Sequence, residues 1–386
     1  MKKKNKGLII LISVLAVIIV AVGSFAAAFA LSSVKGTPST EVWEENMEYD
    51  IKDTVTLQKT PGEDFVILNL TDIQYNDFLD IGQRKYTEET IRELISRVKP
   101  DLITMTGDQI WGPFVKYSIE DLIEFMDSFK IPWAPVNGNH DGEGNVDLNA
   151  SAEKYEESEY CVFRKGPGNI GGVGNYVINI MEGDVIVESL IMMDSGSGAD
   201  FDDLAESEKM YYPELDENFE LKRDENGDLV MRQIGHDYAY IRPAQVEWYR
   251  WCVRGAAAYN ESKGASAPES ALFIHIALPE YYIAYCEYLE SGKSEEYGFF
   301  GAMREDVCCS KKNSGMFDAI LEEGGTKYVF VGHDHVNDYS LIYKGVRLTY
   351  ALKTGDRCYA DDDVNGGTVF TIGEHRTVSH EYVKID

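Results

Sequence analysis

The chain has 386 residues, 44% of them hydrophobic, with 66 acidic against 36 basic side chains and a formal net charge of −30. That length and apolar fraction allow one large domain or two modest ones, each with ample core. A surface so acidic repels phosphate backbones, which argues against a nucleic-acid partner, and most of its carboxylates read as solubilising. Six cysteines are too few for a disulfide scaffold at this length, and none has the C-x-x-C spacing of a zinc site.

In chain order, the basic run "MKKKNKG" precedes the apolar stretch "LIILISVLAVIIVAV". "GSFAAAFA" then ends in the small-residue pattern Ala28-Phe29-Ala30 that a signal peptidase recognises. Leu8 to Leu31 is 24 residues without a charge, and about 20 suffice to span a bilayer. Residues 1–31 therefore read as a signal peptide or as a transmembrane anchor. In either case the lysines stay in the cytoplasm and the remainder is extracytoplasmic: secreted if the segment is cleaved, on the cell membrane if it is retained. Residues 32–60 read as a polar linker, and 61–386 as the folded domain.

Within that domain "FVILNL" predicts a buried strand. A helix follows over "TEETIRELISRVKP", where Ile91, Leu94, Ile95 and Val98 share a face and a proline stops it. "LITMT" predicts a second strand. "SIEDLIEFMDSF" predicts a second helix capped by Ser118, and "PWAPV" a third strand. This alternation points to βαβαβ units and a largely parallel core. "YVINI" and "DVIVESLIMMDSG" predict further strands, followed by an acidic insertion over 197–235. Its "DENGD" reads as a surface turn, since the register of a calcium loop is absent. "RPAQVEWYRWCVRGAAAY" predicts a helix opened by Pro243, "ALFIH" and "KYVFVGH" two more core strands, and the remainder short antiparallel strands.

The chemistry-bearing residues stand just past the carboxyl ends of these strands, where open α/β sheets bind ligands. Asp72 follows "FVILNL", Asp108 follows "LITMT", and Asn139, His140 and Asp141 follow "PWAPV". His275 ends "ALFIH", and His333 with His335 ends "KYVFVGHDH". Residues i and i+2 leaving a strand present side chains to the same side, so two of only seven histidines meet neighbouring points in space. Taken singly, each has an ordinary explanation: a helix cap for an aspartate, a turn for Asn139, a core position for His275. Taken together, imidazole, carboxylate and amide ligands without thiolate suit borderline or hard divalent metals. His236, His375 and His380 lie outside the pattern and read as structural or surface residues.

In order, "DIQ", "GDQIW", "GNHD", "FIH" and "GHDH" resemble the ordered signature of the calcineurin-like metallophosphoesterases over residues 65 to about 350. "MMDSG", "HIALPEY" and "GHDHVND" are most similar to its purple-acid-phosphatase-related branch, which includes dosage-dependent cell-cycle-regulator phosphatases. The resemblance implies a four-layer α/β/β/α sandwich and hydrolysis of phosphate esters, with two divalent ions (Mn, Fe, Zn or Mg) as cofactors. It implies a first ion on Asp72, Asp108 and His335, with Asp108 bridging to a second on Asn139, His275 and His333. It further implies a metal-bridging hydroxide as nucleophile, His140 as acid or charge stabiliser with Asp141 orienting its ring, and Asn139 at the substrate. Tyr281, near Tyr282 and Tyr285, is a candidate for the substrate cleft, with aromatic packing the alternative. One position departs from the pattern. Gln74 stands where the family has a histidine, and Trp111 where the purple branch has a compensating tyrosine. Gln74 is expected to ligate weakly through its amide oxygen, leaving a looser first site. A phosphomonoesterase is the first expectation. A phosphodiesterase, or a membrane-tethered binding module with a degenerate first site, is the alternative.

Overall fold

The computed structural model describes residues 2–76, 81–201, 203–361 and 363–383. It begins with helix α1 (Lys2–Ser32), whose stretch Ile10–Ser32 is long and apolar enough to cross a membrane and carries its most apolar window unburied. Next come β1 (Val55–Gln58), β2 (Phe65–Leu70), α2 (Ile81–Val98), β3 (Leu102–Thr106), α3 (Lys116–Asp127) and β4 (Trp133–Val136). The middle of the chain forms α4 (Leu148–Glu157), β5 (Tyr176–Glu182), β6 (Val185–Met192), β7 (Tyr211–Pro213), β8 (Met231–Gln233) and α5 (Pro243–Ser262). The last part forms β9 (Glu269–Phe273), α6 (Glu280–Glu290), α7 (Met316–Glu323), β10 (Thr326–Val331) and β11 (Ser340–Tyr343). It ends with β12 (Val346–Tyr350), β13 (Gly366–Ile372) and β14 (Arg376–Tyr382).

These strands do not share one edge. They sort into a five-stranded sheet, β14-β13-β2-β3-β4, and a seven-stranded sheet, β1-β5-β6-β9-β10-β12-β11, with β7-β8 a separate hairpin inside the acidic insertion. β2, β3 and β4 run parallel, as do β6, β9 and β10, because helical crossovers return the chain to the same end of each sheet, and β12 runs parallel to β10 after the chain turns back through β11.

Alternation along the strands joins the layers. Phe273 on β9 and Phe330 on β10 face the other sheet, where Phe370 of β13 lies 5.4 Å from Phe330 between ring centroids. Leu272, Val329 and Val331 on the same strands face outward into a cluster with Tyr249, Tyr281, Phe317 and Ile320 of the helices α5, α6 and α7. Ile91 and Leu94 of α2, with Ile119, Leu122 and Met126 of α3, are buried against the five-stranded sheet. The result is the four-layer α/β/β/α sandwich. A part-buried contact ties the two sheets: Arg376 Nε on β14 lies 3.2 Å from Glu188 Oε2 on β6, and its Nη2 donates to the Val187 carbonyl at 2.9 Å.

Two expectations are corrected. Ser118 does not cap α3; the helix starts at Lys116, and Ser118 is buried within it. Residues 32–60 are not a free linker, for β1 pairs in parallel with β5 and Trp43 is 8% exposed against the α5 side of the core. Apolar side chains scattered among polar ones give no periodic signal, yet a single tryptophan and four strand residues suffice to dock the segment.

Trp43→Ala is therefore expected to lower the unfolding free energy by about 3 kcal/mol, measured by urea denaturation, whereas a free tether would tolerate it unchanged. Burial pushes the Glu188 carboxyl up to about 8 despite Arg376. The folded state then holds this proton better than the unfolded chain does. The stability it contributes is complete below the ordinary glutamate range and is lost as pH rises through about 8. Urea midpoints at pH 5 and pH 8 should show this fall in the parent chain and a flatter response in Glu188→Gln.

Candidate metal centre

The carboxyl ends of the two parallel strand sets meet at one buried point. From the five-stranded sheet come Asp72 after β2, Asp108 after β3 and Asn139 after β4; from the seven-stranded sheet come His275 after β9 and His333 and His335 after β10. Asp72, Asp108 and His335 present ligand atoms all within 4.8 Å of one another, and all three are buried. His275 Nε2 lies 3.4 Å from Asp108 Oδ1, 2.9 Å from Asn139 Oδ1 and 3.3 Å from His333 Nδ1.

The imidazoles are held from behind. His335 Nδ1 donates to the Tyr359 carbonyl at 2.9 Å, and the Tyr359 ring stacks on it at 4.3 Å. That leaves the Nε2 lone pair facing Asp72 Oδ1 at 3.2 Å. His275 Nδ1 donates to the Thr106 carbonyl at 2.7 Å, turning Nε2 inward. Asp72 Oδ2 accepts from the Thr71 hydroxyl and the His333 backbone N–H, while Oδ1 and the buried His333 Nε2 have no hydrogen-bond partner among the described residues. Lone pairs facing each other across such distances are what a cation between them would satisfy, so this donor set fits divalent metal.

Charge points the same way. Burial works against ionised Asp72, but the charges of His335, His275 and Lys353 override it and hold the carboxyl well below its usual range. Burial alone would discharge His275, yet Asp108 and Asp72 push its imidazole up to about 10. Burial, with the His275 charge beside it, takes His333 down to about 3, leaving a neutral ring suited to ligation. The carboxylates draw positive charge to this point, and metal there competes with protons.

Backbone strain accompanies the convergence. Asp72 (φ 49°), Gln74 (φ 49°), Asp108 (φ 53°) and His333 (φ 75°) all adopt left-handed conformations that cost a non-glycine residue roughly 1 kcal/mol or more. Gly138 is required for another reason: a Cβ there would sit 2.2 Å from Asp108 Oδ1. Its absence lets the 138–141 turn close over Asp108, whose Oδ1 accepts the His140 backbone N–H at 2.9 Å.

Three sequence expectations change here. Asp141 does not orient His140. Its buried carboxylate accepts the backbone N–H groups of Asp108 (3.0 Å), Ile110 (2.9 Å) and Gly138 (2.7 Å), stapling two ligand loops together. Burial and the nearby Asp108 charge push it up to about 7. The His140 ring, 3.9 Å through Nε2 from Asp108 Oδ2, instead meets Glu143 Oε2 through Nδ1 at 2.6 Å. Tyr281 is not in the cleft: it is fully buried, its hydroxyl donating to the Val329 and Thr349 carbonyls at 2.9 and 3.3 Å. Gln74 does not turn its amide oxygen inward; that oxygen accepts from Lys353 Nζ at 3.0 Å, and its amide nitrogen faces His335 Nε2 at 3.4 Å.

Glu143, Lys353 and Tyr359 escaped the sequence reading. Glu143 had the helix-like i+3 spacing from His140 as a signal; a lysine within the apolar run "TYALKTG" was the signal for Lys353. The cleft beside the centre is a cavity of about 620 Å³ lined by Asn139, Glu143, Asp194, Tyr238, Tyr240 and Arg242, among others. Tyr238 packs edge-on against His333 at 4.3 Å. Asp141→Ala strands three buried N–H groups and is expected to cost about 3 kcal/mol or more of stability, read by thermal denaturation; a loss below about 1 kcal/mol would refute the staple.

A family model described as calcineurin-like phosphoesterase matches residues 65–259, half of the chain. The Arabidopsis thaliana protein named "Probable inactive purple acid phosphatase 28" is 26% identical over 290 residues, covering 71% of this chain and 63% of that protein. "Phosphatase DCR2" of Saccharomyces cerevisiae is 26% identical over 317 residues, covering 74% of this chain and 46% of that protein. The chain thus spans less than two thirds of either relative's length. A crystal structure of a dimetal phosphatase from Danio rerio aligns with a TM-score of 0.46 at 10% identity, over 83% of this chain and 97% of that one. On the strength of a family match across half its length, laid over the strands that deliver Asp72, Asp108 and Asn139, the chain belongs to the calcineurin-like phosphoesterase family.

Proposed function

We propose that the chain is an exported, metal-dependent phosphoesterase acting first on phosphate monoesters and second on diesters. The observation that carries this reading is the convergence of Asp72, Asp108, Asn139, His275, His333 and His335 on one buried, cation-seeking point, with His140 at its rim. Asp72, Asp108 and His335 would hold one divalent ion; Asp108, Asn139, His275 and His333 would hold another. Bound ions of this kind neutralise phosphoryl charge and lower the pKa of water.

The remaining chemistry belongs to the chain. His140 is part-exposed, and Glu143 holds its Nδ1 at 2.6 Å while Nε2 lies 3.9 Å from Asp108 Oδ2. It is the group placed to donate a proton to the leaving oxygen, or to stabilise its charge. Asn139 lines the cleft and carries its side-chain oxygen to His275, so it orients both ligand and substrate. Arg242 and the Tyr238 and Tyr240 rings give the cleft a cationic and an aromatic wall for the rest of a phosphate ester. The apolar helix α1 supports export, either as an anchor or as a cleaved signal.

A second reading keeps the fold and drops the turnover. It is favoured by Gln74, whose oxygen is engaged by Lys353, and by the Arabidopsis relative's name. Hydrolysis of p-nitrophenyl phosphate and its bis-ester, each with added Mn²⁺, separates the two. Turnover of the monoester is expected, and Mn²⁺ bound without turnover of either ester would assign the chain to the second reading. His140→Ala should lower kcat by about 10²- to 10⁴-fold with Mn²⁺ content unchanged, and Glu143→Gln should lower it by less.

A further inference from the structure

Lys353 is 1% exposed, and its Nζ reaches the centre; burial lowers its pKa, while the carboxylates of Asp72 and Asp108 pull the other way and favour the ammonium. It lies on the crossover from β12 to β13, which passes beneath the 71–74 turn. That crossover is fastened on both sides. The Thr354 backbone N–H donates to the Thr71 carbonyl at 2.9 Å, and the Thr354 hydroxyl accepts from the Thr71 N–H at 3.3 Å and donates to the Gly366 carbonyl at 2.9 Å. Gly355 allows the approach, since a Cβ there would stand 2.2 Å from the Ile73 carbonyl oxygen. The Lys353 position is therefore built by the backbone rather than reached by a wandering side chain.

From this position Nζ donates to the Asp72 carbonyl and to Gln74 Oε1, both at 3.0 Å. Gln74 is fully buried, so its oxygen has no freedom to swing away while Lys353 holds it. The amide nitrogen is thereby turned toward His335 Nε2, the lone pair a metal would use. A donor aimed at a ligand atom, and a unit positive charge beside Asp72, both act against a cation at Asp72, Asp108 and His335. Asn139, His275 and His333 meet one another instead, His275 Nε2 lying 2.9 Å from Asn139 Oδ1 and 3.3 Å from His333 Nδ1.

We propose that Lys353 is a built-in cation of the first metal position: it removes Gln74 from the ligand set and makes the centre asymmetric, one divalent ion held firmly by Asp108, Asn139, His275 and His333, a second held weakly by Asp72, Asp108 and His335. This rests on the metal-binding reading above. Lys353 is here a positioning residue, acting through Gln74 and through its charge.

The test is Mn²⁺ binding by the full chain, followed by calorimetry, by elemental analysis after dialysis, and by the electron paramagnetic signal of a coupled manganese pair. The parent chain is expected to keep one Mn²⁺ after dialysis. Lys353→Met should tighten the second ion by roughly tenfold or more, the scale of removing a nearby like charge, and should bring up the coupled-pair signal. Gln74→Leu should leave retention of the firm ion unchanged and should not weaken the second ion, because its oxygen is not a ligand; with the amide donor gone from His335 Nε2, that ion should bind as tightly or more tightly. Two ions of equal affinity in the parent chain, an unchanged second affinity in folded Lys353→Met, or weaker Mn²⁺ binding in Gln74→Leu would each overturn the proposal. Should Lys353→Met fail to fold, the parent stoichiometry and Gln74→Leu decide. No Mn²⁺ bound under any condition would instead overturn the metal-binding reading itself.

Discussion

Two carboxylates are kept ionised without solvent, and the rest of the molecule is arranged around that constraint. Asp72 and Asp108 leave adjacent strands of the five-stranded sheet and are 1% exposed. Isolated in such a place each would take up a proton. What keeps them charged is the approach of imidazoles from the second sheet, so the inter-sheet packing of Phe273, Phe330 and Phe370 is as much a part of the centre as the ligands are. Slide one sheet along the other and the carboxylates lose their partners.

Convergence has a conformational cost that is met locally. Four residues of the centre stand in left-handed backbone conformations, because a chain leaving a strand must turn sharply to aim a side chain back along the strand axis. The turns are then over-determined. Asp141 gathers three N–H groups, Asp72 Oδ2 gathers a hydroxyl and an N–H, and Gly138 and Gly355 admit backbone where a Cβ would collide. Asp141, which the sequence reading assigns to orienting His140, is instead a structural tie of this kind.

The same economy explains why the two halves of the centre differ. On the side of His275 and His333, His275 Nε2 meets Asn139 Oδ1 and His333 Nδ1, with Asp108 as the neighbouring carboxylate. On the side of His335, the ring is clasped by Tyr359, and Gln74 is clasped by Lys353. Position 74, where the family signature has a histidine, is not a gap: it carries an amide whose two ends are both engaged, one by Lys353 and one by His335.

Strand and helix periodicity, read alone, placed β2, α2, β3, α3, β4, β5, β6, α5, β9 and β10 in order but missed α4, α6 and α7, and the residues just past each strand pointed to Asp72, Asp108, Asn139, His140, His275, His333 and His335 as candidates. Those features are local: an apolar run of set length ends where its burial ends, and the next few residues must lie at the strand's carboxyl end. The partition of the strands into two sheets was not local, since "ALFIH" and "FVILNL" look alike and only packing assigns them to different layers. Nor were the partners of each site residue. Lys353 reaches Gln74 across 279 positions and Tyr359 reaches His335 across 24, and no spacing rule connects them. Tyr281 and the segment around Trp43 failed for the same reason, because an aromatic ring has the same pattern whether it lines a cleft or fills a core. The sequence by itself determined which chemical groups gather at the strand ends. Tertiary structure alone decided which of them face a cation and which face one another, because that depends on where two sheets meet.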